Sequence, residues 1–490
     1  MSSAPGRRRA ALPESKPGPA PAWPSAVAAL VLLSCCVAML VWSDSRPPEA
    51  APRPPSARQV PIDEVTLVCR RLEGDDSTRS SRAVGLLPGG AADGALSVDE
   101  ADFRAEPGGW SVRPDAGGTV SARGPVAAAT GAWRAGVADA GSGHGLTVGG
   151  CPRPTTDLWF VGAGSTVEHE STLVVSNAGR TTAVFDVTLL TSDGELAPVS
   201  TQGIALPPRE KQEIQLASLA ADRGDVAVRV SAGEGQVAAS MLDSWTAELK
   251  PAGTEWVPPA APAAESVAIT GVPADTGERD LLLANPGQRT VVVGVQVVGP
   301  DATFVPESLP EVEVPARSSI SVQLPRSLDE DGLGLRLDAD EPIMAAVRAR
   351  SSGERPDVAY AASAPPLTGP TVVPVRMGEV ISTLPVLLLA ATEATTTLTV
   401  AAYGSRGAEL AATTVELAAG VTTTYDAGRG ASKLPGSARE KAAYLVLTPG
   451  DAAPVQASAT YVTERGGLSV LTVTTPPTSV LAPAVIPVGG

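Results

Sequence analysis

The chain has 490 residues, is 43% hydrophobic but only 3% aromatic, and carries a formal net charge of −16. That length exceeds one small domain and accommodates three or four. An acidic chain without a basic stripe lacks the electrostatic footprint of a nucleic-acid binder, so nucleic acid is not expected among its partners.

Residues 1–23 read as a disordered cytoplasmic tail with Arg7, Arg8, Arg9 and Lys16. Residues 24–42 follow as an apolar run bracketed by Trp23 and Trp42. As a helix, the uncharged stretch from Ser25 to Trp42 spans ~27 Å, enough for a thin bilayer. The basic flank puts the N-terminus in the cytoplasm. A cleaved signal peptide would need a shorter apolar core and a small-x-small site, whereas Trp42, Ser43 and Asp44 follow here. A lipoprotein reading at Cys35 fails because the apolar run continues past it. The segment is therefore expected to be an uncleaved transmembrane signal-anchor. Residues 43–60 form a Pro/Ala-rich stalk of polyproline type. The first 60 residues hold seven Lys or Arg against three acids, or +4, which leaves −20 on the remainder.

Residues 61–152 read as a divergent β-rich domain. Outside the apolar run, with Cys35 and Cys36, only Cys69 and Cys151 remain. An even pair in an oxidising compartment is expected to form a disulfide that closes this domain. Two free buried thiols are the alternative.

A repeat follows. The only two asparagines, Asn177 and Asn285, are 108 residues apart, each two residues before a glycine. Phe185, Val187 and Leu189 map onto Val293, Val295 and Val297, one face of a period-two strand. Leu206, Pro207 and Arg209 map onto Val314, Pro315 and Arg317 in the same register. A third copy has Val386 to Ala390 as the matching strand, with Ala391 in place of asparagine. The copies are bounded as 153–264, 265–371 and 372–490. Each has about seven short apolar segments between Gly, Pro, Asp and Ser turns, the pattern of a β-sandwich. The fold expected is all-β: tandem immunoglobulin-like or fibronectin-like β-sandwich modules behind one N-terminal transmembrane helix and a Pro-rich stalk. The asparagines read as turn residues.

Chemistry is sparse. The only histidines, His144 and His169, have no partner at zinc-ligand spacing, and no nucleophile elbow, Walker loop or dinucleotide fingerprint is present. No catalytic residue, metal or cofactor is expected, and the chain does not read as an enzyme. Asp329, Asp331, Asp338 and Asp340 cluster as weak calcium ligands could, but solvated turn charges account for them better. Trp159, Trp245 and Trp256 are the candidates for a sugar-stacking platform. Trp159 alternates with apolar residues like a core position, and Trp256 precedes Val-Pro-Pro like a contact between domains.

Cys151-Pro-Arg-Pro, Trp159-Phe-Val-Gly, Leu173-x-x-x-Asn177-x-Gly179 and Trp256-Val-Pro together resemble an uncharacterised actinobacterial family of secreted or single-pass membrane proteins carrying a domain of unknown function. The resemblance covers roughly residues 60–480. It implies an envelope location and lends no catalytic residue. The function expected is a non-catalytic structural or protein-interaction role at the cell envelope. The alternatives are a cell-wall or glycan-binding module, or an accessory subunit of an envelope polysaccharide assembly system. The expected partners are the cell membrane, through the N-terminal helix, and an unknown envelope protein or glycan. The location expected is the cell membrane, single-pass, with the bulk of the chain extracytoplasmic.

Overall fold

Alternating apolar residues, broken every few positions by glycine, proline or aspartate, commit most of this chain to antiparallel strands. The computed structural model describes residues 23–44, 58–74, 78–104, 106–114, 117–141, 143–273, 277–328, 332–352, 354–430 and 434–482. The expected tail before Trp23, most of the stalk, and Asp329 and Asp331 lie outside them.

The apolar run forms one α-helix, Trp23–Asp44. Its side chains are described from 27 to 39 and are exposed, including Leu30, Leu33 and Met39. Among the described residues, no helix is long and apolar enough to cross a membrane.

The residues from 60 to 480 form one unit. Among the described residues its sheets make four sandwiches with the same strand order. The second shows the pattern. Its strands are Asp157–Ala163, His169–Ser176, Ala183–Thr191, the short pair Gly194–Leu196 and Ile204–Leu206, then Lys211–Gln215, Val226–Glu234, Ala238–Ala247 and Lys250–Val257. Counting the short pair as the fourth, strands one, six, three and four form one sheet, and strands five, two, seven and eight form the other. The third sandwich repeats this order, but its sixth and seventh strands are one continuous strand, Leu333–Arg350, which passes from one sheet to the other. The fourth begins at Thr371–Pro374 and ends at Leu468–Val473. Pairing of strands three with six and two with five matches an immunoglobulin sandwich, whereas the first and seventh strands sit in opposite sheets from their places there.

Residues 64–150 are a complete copy of this pattern. Among the described residues there are therefore four related sandwiches, and the divergent β-rich segment is the first of them. The disulfide between Cys69 and Cys151 is present, with the two Cα atoms 4.7 Å apart. Cys69 ends the first strand and Cys151 follows the eighth, so the bond ties the two sheets of the first sandwich together. It spans 82 residues, a loop for which chain entropy alone gives roughly 4–5 kcal/mol.

The strand face expected from the repeat is buried, with Phe185, Val187 and Leu189 in the second sandwich and Val293, Val295 and Val297 in the third, and so are Val228, Val230, Leu335 and Leu337 on the strands beside it. The two asparagines occupy equivalent turns between the second and third strands of their sandwiches. Asn177 donates through Nδ2 to the carbonyls of Thr181, Leu206 and Pro207, and its Oδ1 accepts from Gly179 N–H at 2.9 Å. Asn285 donates to Arg289, Val314 and Pro315, and accepts from Gly287 N–H at 2.9 Å. Each amide thus satisfies backbone groups that would otherwise be buried without partners.

Asn285→Ala strands these backbone groups and should cost about 2–4 kcal/mol, read as a fall in the urea midpoint of unfolding. Val187→Asp and Val295→Asp place an unpaired carboxylate in a sealed core and should abolish folding. Thr188→Asp, on the opposite face of the same strand, should leave the far-UV circular dichroism unchanged.

Candidate functional site

The eighth strand of each sandwich is an edge strand with one row of backbone groups unpaired within its own sheet. The four do not face solvent. Gly145–Gly150 lies against Lys250–Val257, which lies against Val358–Ala362, then against Leu468–Val473, which returns to Gly145–Gly150. The four sandwiches therefore close into a ring around an axis lined by their last strands.

At one end of this axis sits Asp357, 1% exposed. Its Oδ2 accepts from Leu146 N–H at 2.9 Å and Leu468 N–H at 2.8 Å. Its Oδ1 accepts from Val358 N–H at 2.9 Å, and Thr254 N–H is the fourth donor. These donors come one from each of the four axial strands, so one carboxyl group joins all four sandwiches. The alignment of these strands puts Gly145, Gly253 and Gly467 where the third sandwich has Asp357. The first two must be glycine: φ is +124° at Gly145 and +129° at Gly253, and a Cβ on Gly145 would lie 2.3 Å from the Asp357 carboxylate. Burial pushes the Asp357 carboxyl up to about 8, while the four N–H donors pull the other way.

Two residues along, Glu255 accepts from Ser469 Oγ and from Trp256 N–H, while Ser469 Oγ also accepts from Val148 N–H. Burial raises the Glu255 carboxyl well above the usual range. Beside the axis, His144 places Nε2 3.0 Å from the Pro356 carbonyl, linking the first sandwich to the third. Asp139, below the usual range chiefly through its hydrogen bond from Arg465, also pairs with Arg79 and Arg355.

His169 belongs to a second buried network. Asp243, fully buried, accepts from His169 Nε2 at 2.9 Å, from Trp245 Nε1 at 2.8 Å, from Tyr360 OH at 2.6 Å and from Ser171 Oγ. Burial pushes this carboxyl up, but His169 and the hydroxyl donors outweigh it and hold it below the usual range. Serine, histidine and aspartate meet here without making a nucleophile. Ser171 donates to the carboxylate, whereas a catalytic serine donates to the imidazole. Tyr360 comes from the third sandwich, and so does Arg348, which stacks over Trp245 at 4.6 Å and pairs with Asp225 and Asp280. The network is a joint between the second and third sandwiches.

The remaining candidates are dispersed. Trp245 stacks on His169 at 4.0 Å. Trp256 is buried beneath Arg134 of the first sandwich at 3.9 Å, a contact between domains. Trp159 is half-buried, with Arg229 over it. Asp338 is engaged by Ser266 and Arg336, and Asp340 is exposed. Among the described residues, no three His, Cys, Asp or Glu side chains gather as a metal site. Sequence reasoning missed Asp357, Asp243 and Tyr360. Their partners lie up to 211 residues away, and the one available signal was an aspartate aligned with three glycines.

A family model described as a family of unknown function, DUF5719, matches residues 113–428, well over half of the chain. The chain belongs to that family. The match begins inside the first sandwich and ends inside the fourth, so it takes in three of the four axial strands and stops before Leu468–Val473. No curated protein matches the chain.

The pH dependence of Asp357 has a definite sign. A carboxyl raised in the folded state is stabilising below its unfolded value near 4, and that contribution is lost as pH rises through about 8. Asp357→Asn turns an NH2 group toward backbone donors and should lower stability by about 2–4 kcal/mol at pH 5. The gap to the native protein should narrow as pH rises from 5 to 9. Urea unfolding of both proteins at each pH reads this directly, and equal midpoints at pH 5 would refute the role of the carboxyl group.

Proposed function

We propose that this protein is a non-catalytic scaffold at the cell envelope, held to the membrane by its N-terminal helix and presenting an immunoglobulin-related ring of sandwiches outside the cytoplasm. The observation that carries this reading is where its buried ionisable groups are used. Asp357, Asp243, Arg348 and His169, the groups that would attract attention in an enzyme, are engaged in joining one sandwich to another. Such polar joints fix geometry more than they add stability, which suits a protein whose task is to present a surface.

The anchor and the location rest on three features. The apolar run bracketed by Trp23 and Trp42 is preceded by basic residues. The Cys69–Cys151 disulfide suits an oxidising compartment. The −20 charge beyond residue 60 favours a soluble surface in which exposed acids repel non-specific association.

A reporter fused after Gly490 should be active only outside the cytoplasm, and the mature protein should retain Met1 or a residue close to it. Release into the medium with a new N-terminus after Trp42 would refute the anchor. Crosslinking in intact cells followed by mass spectrometry should recover an envelope protein. Retention on purified cell wall, with no crosslinked protein, would replace the scaffold reading with glycan binding.

A further inference from the structure

The axial strands converge at Asp357, and their C-terminal ends open into a cleft of about 390 Å³. All four sandwiches contribute to it, through residues such as Trp133, Val257, Ser363 and Leu471. The volume falls within the range of small-molecule sites, and the walls are mainly apolar, as such sites require.

Charge sets this cleft apart from the rest of the molecule. In a chain of net charge −16, no aspartate or glutamate among the described residues lines it, yet Arg134 and Arg153 do. Neither forms an ion pair with a described carboxylate. Arg134 is 6% exposed. Its Nη1 donates to Ser240 Oγ at 3.0 Å, and its Nε has no hydrogen-bond partner. The Nε–H of the guanidinium is thus unused, and the edge it forms with Nη2 matches the two oxygens of a carboxylate or phosphoryl group. Gly149, the cross-strand partner of Arg134, adds no side chain in front of Nε. Trp256 beneath the guanidinium compensates part of the charge. The nearby Glu255 carboxyl, raised by burial, is a poor counter-ion. Burial likewise brings Arg134 down to about 9 and lowers Arg153, the expected result for buried cations without a bound anion.

We propose that this cleft binds a small organic anion, with a carboxylate or phosphoryl head on Arg134 and Arg153 and an apolar body against Trp133, Pro258 and Pro476. The pairing supplies the counter-charge that the fold withholds, and a neutral molecule of the same shape gains no such compensation. Because each sandwich contributes to the walls, the site exists only when the ring is closed.

The test uses the full chain in nanodiscs, with phenylacetate, phenyl phosphate, inorganic phosphate and neutral phenylacetamide as probes. Binding is measured by calorimetry and by quenching of tryptophan fluorescence. At least one of the two organic anions should bind saturably at one per chain, at least tenfold more tightly than phenylacetamide. The tighter of the two identifies the head group, and inorganic phosphate should bind more weakly than phenyl phosphate because it lacks the body. Arg134→Gln should reduce binding at least tenfold. Gly150→Leu gives a control that does not depend on a buried charge. A Cβ there meets no atom within 4 Å, so the fold should hold while the added side chain occupies the cleft and binding is lost. The proposal is overturned if neither organic anion binds, if phenylacetamide binds as tightly, or if both variants bind like the native protein with unchanged melting temperatures.

Discussion

A carboxyl group sealed from water must have its oxygens met by donors, and Asp357 meets that demand with backbone N–H groups of four strands from four different sandwiches. The rest of the ring depends on this constraint. Four edge strands brought together around an axis would otherwise bury unpaired backbone groups at the point where they converge. One side chain resolves that conflict only if the other three positions leave room for it. They do so by being glycine. The ring therefore has approximate four-fold repetition in its strands and deliberate asymmetry at its centre.

Away from the axis the contacts between neighbours are chemically varied. The second and third sandwiches share the Asp243 network and the pairs of Arg348. The third and fourth meet through backbone, with Thr422 N–H donating to the Gly299 carbonyl. The fourth and first close the ring through rings of another kind. Trp110 stacks on Tyr444 at 5.0 Å, and Tyr444 OH reaches the Gly108 carbonyl at 2.7 Å. Apolar residues of these two sandwiches merge into one cluster, from Ala83 and Trp133 to Val372 and Leu445. Different chemistry at each joint specifies which face meets which neighbour, the role in which buried polar groups are best attested.

The sequence made the strands legible because period-two patterning is a local property. It made the asparagine turns legible because every partner of each amide lies within about 30 residues and the repeat carries them in register. The first sandwich escaped notice as a copy because it lacks the asparagine, and glycine-rich segments mask its strands. The junction was out of reach for a different reason. Asp357 beside a run of Glu, Arg and Pro reads as a solvated turn, and only three-dimensional closure turns it into a hub. Arg134 and Arg153 likewise read as ordinary surface charge. Their shared cleft is assembled from residues between Leu67 and Pro477, and no window of sequence contains it.

Closure also limits how such a protein can change its copy number. Beads on a string gain or lose a module by duplication or deletion, since each bead touches only its neighbours in the chain. Here the first bead touches the last, and Asp357 has acceptor positions for four strands and no more. A fifth sandwich would find no acceptor left at the hub and would have to part Trp110 from Tyr444 to enter. A missing one would leave an open edge strand and an unsatisfied carboxylate. Tandem duplication, the easiest way to lengthen a repeat protein, therefore meets a structural barrier in this one.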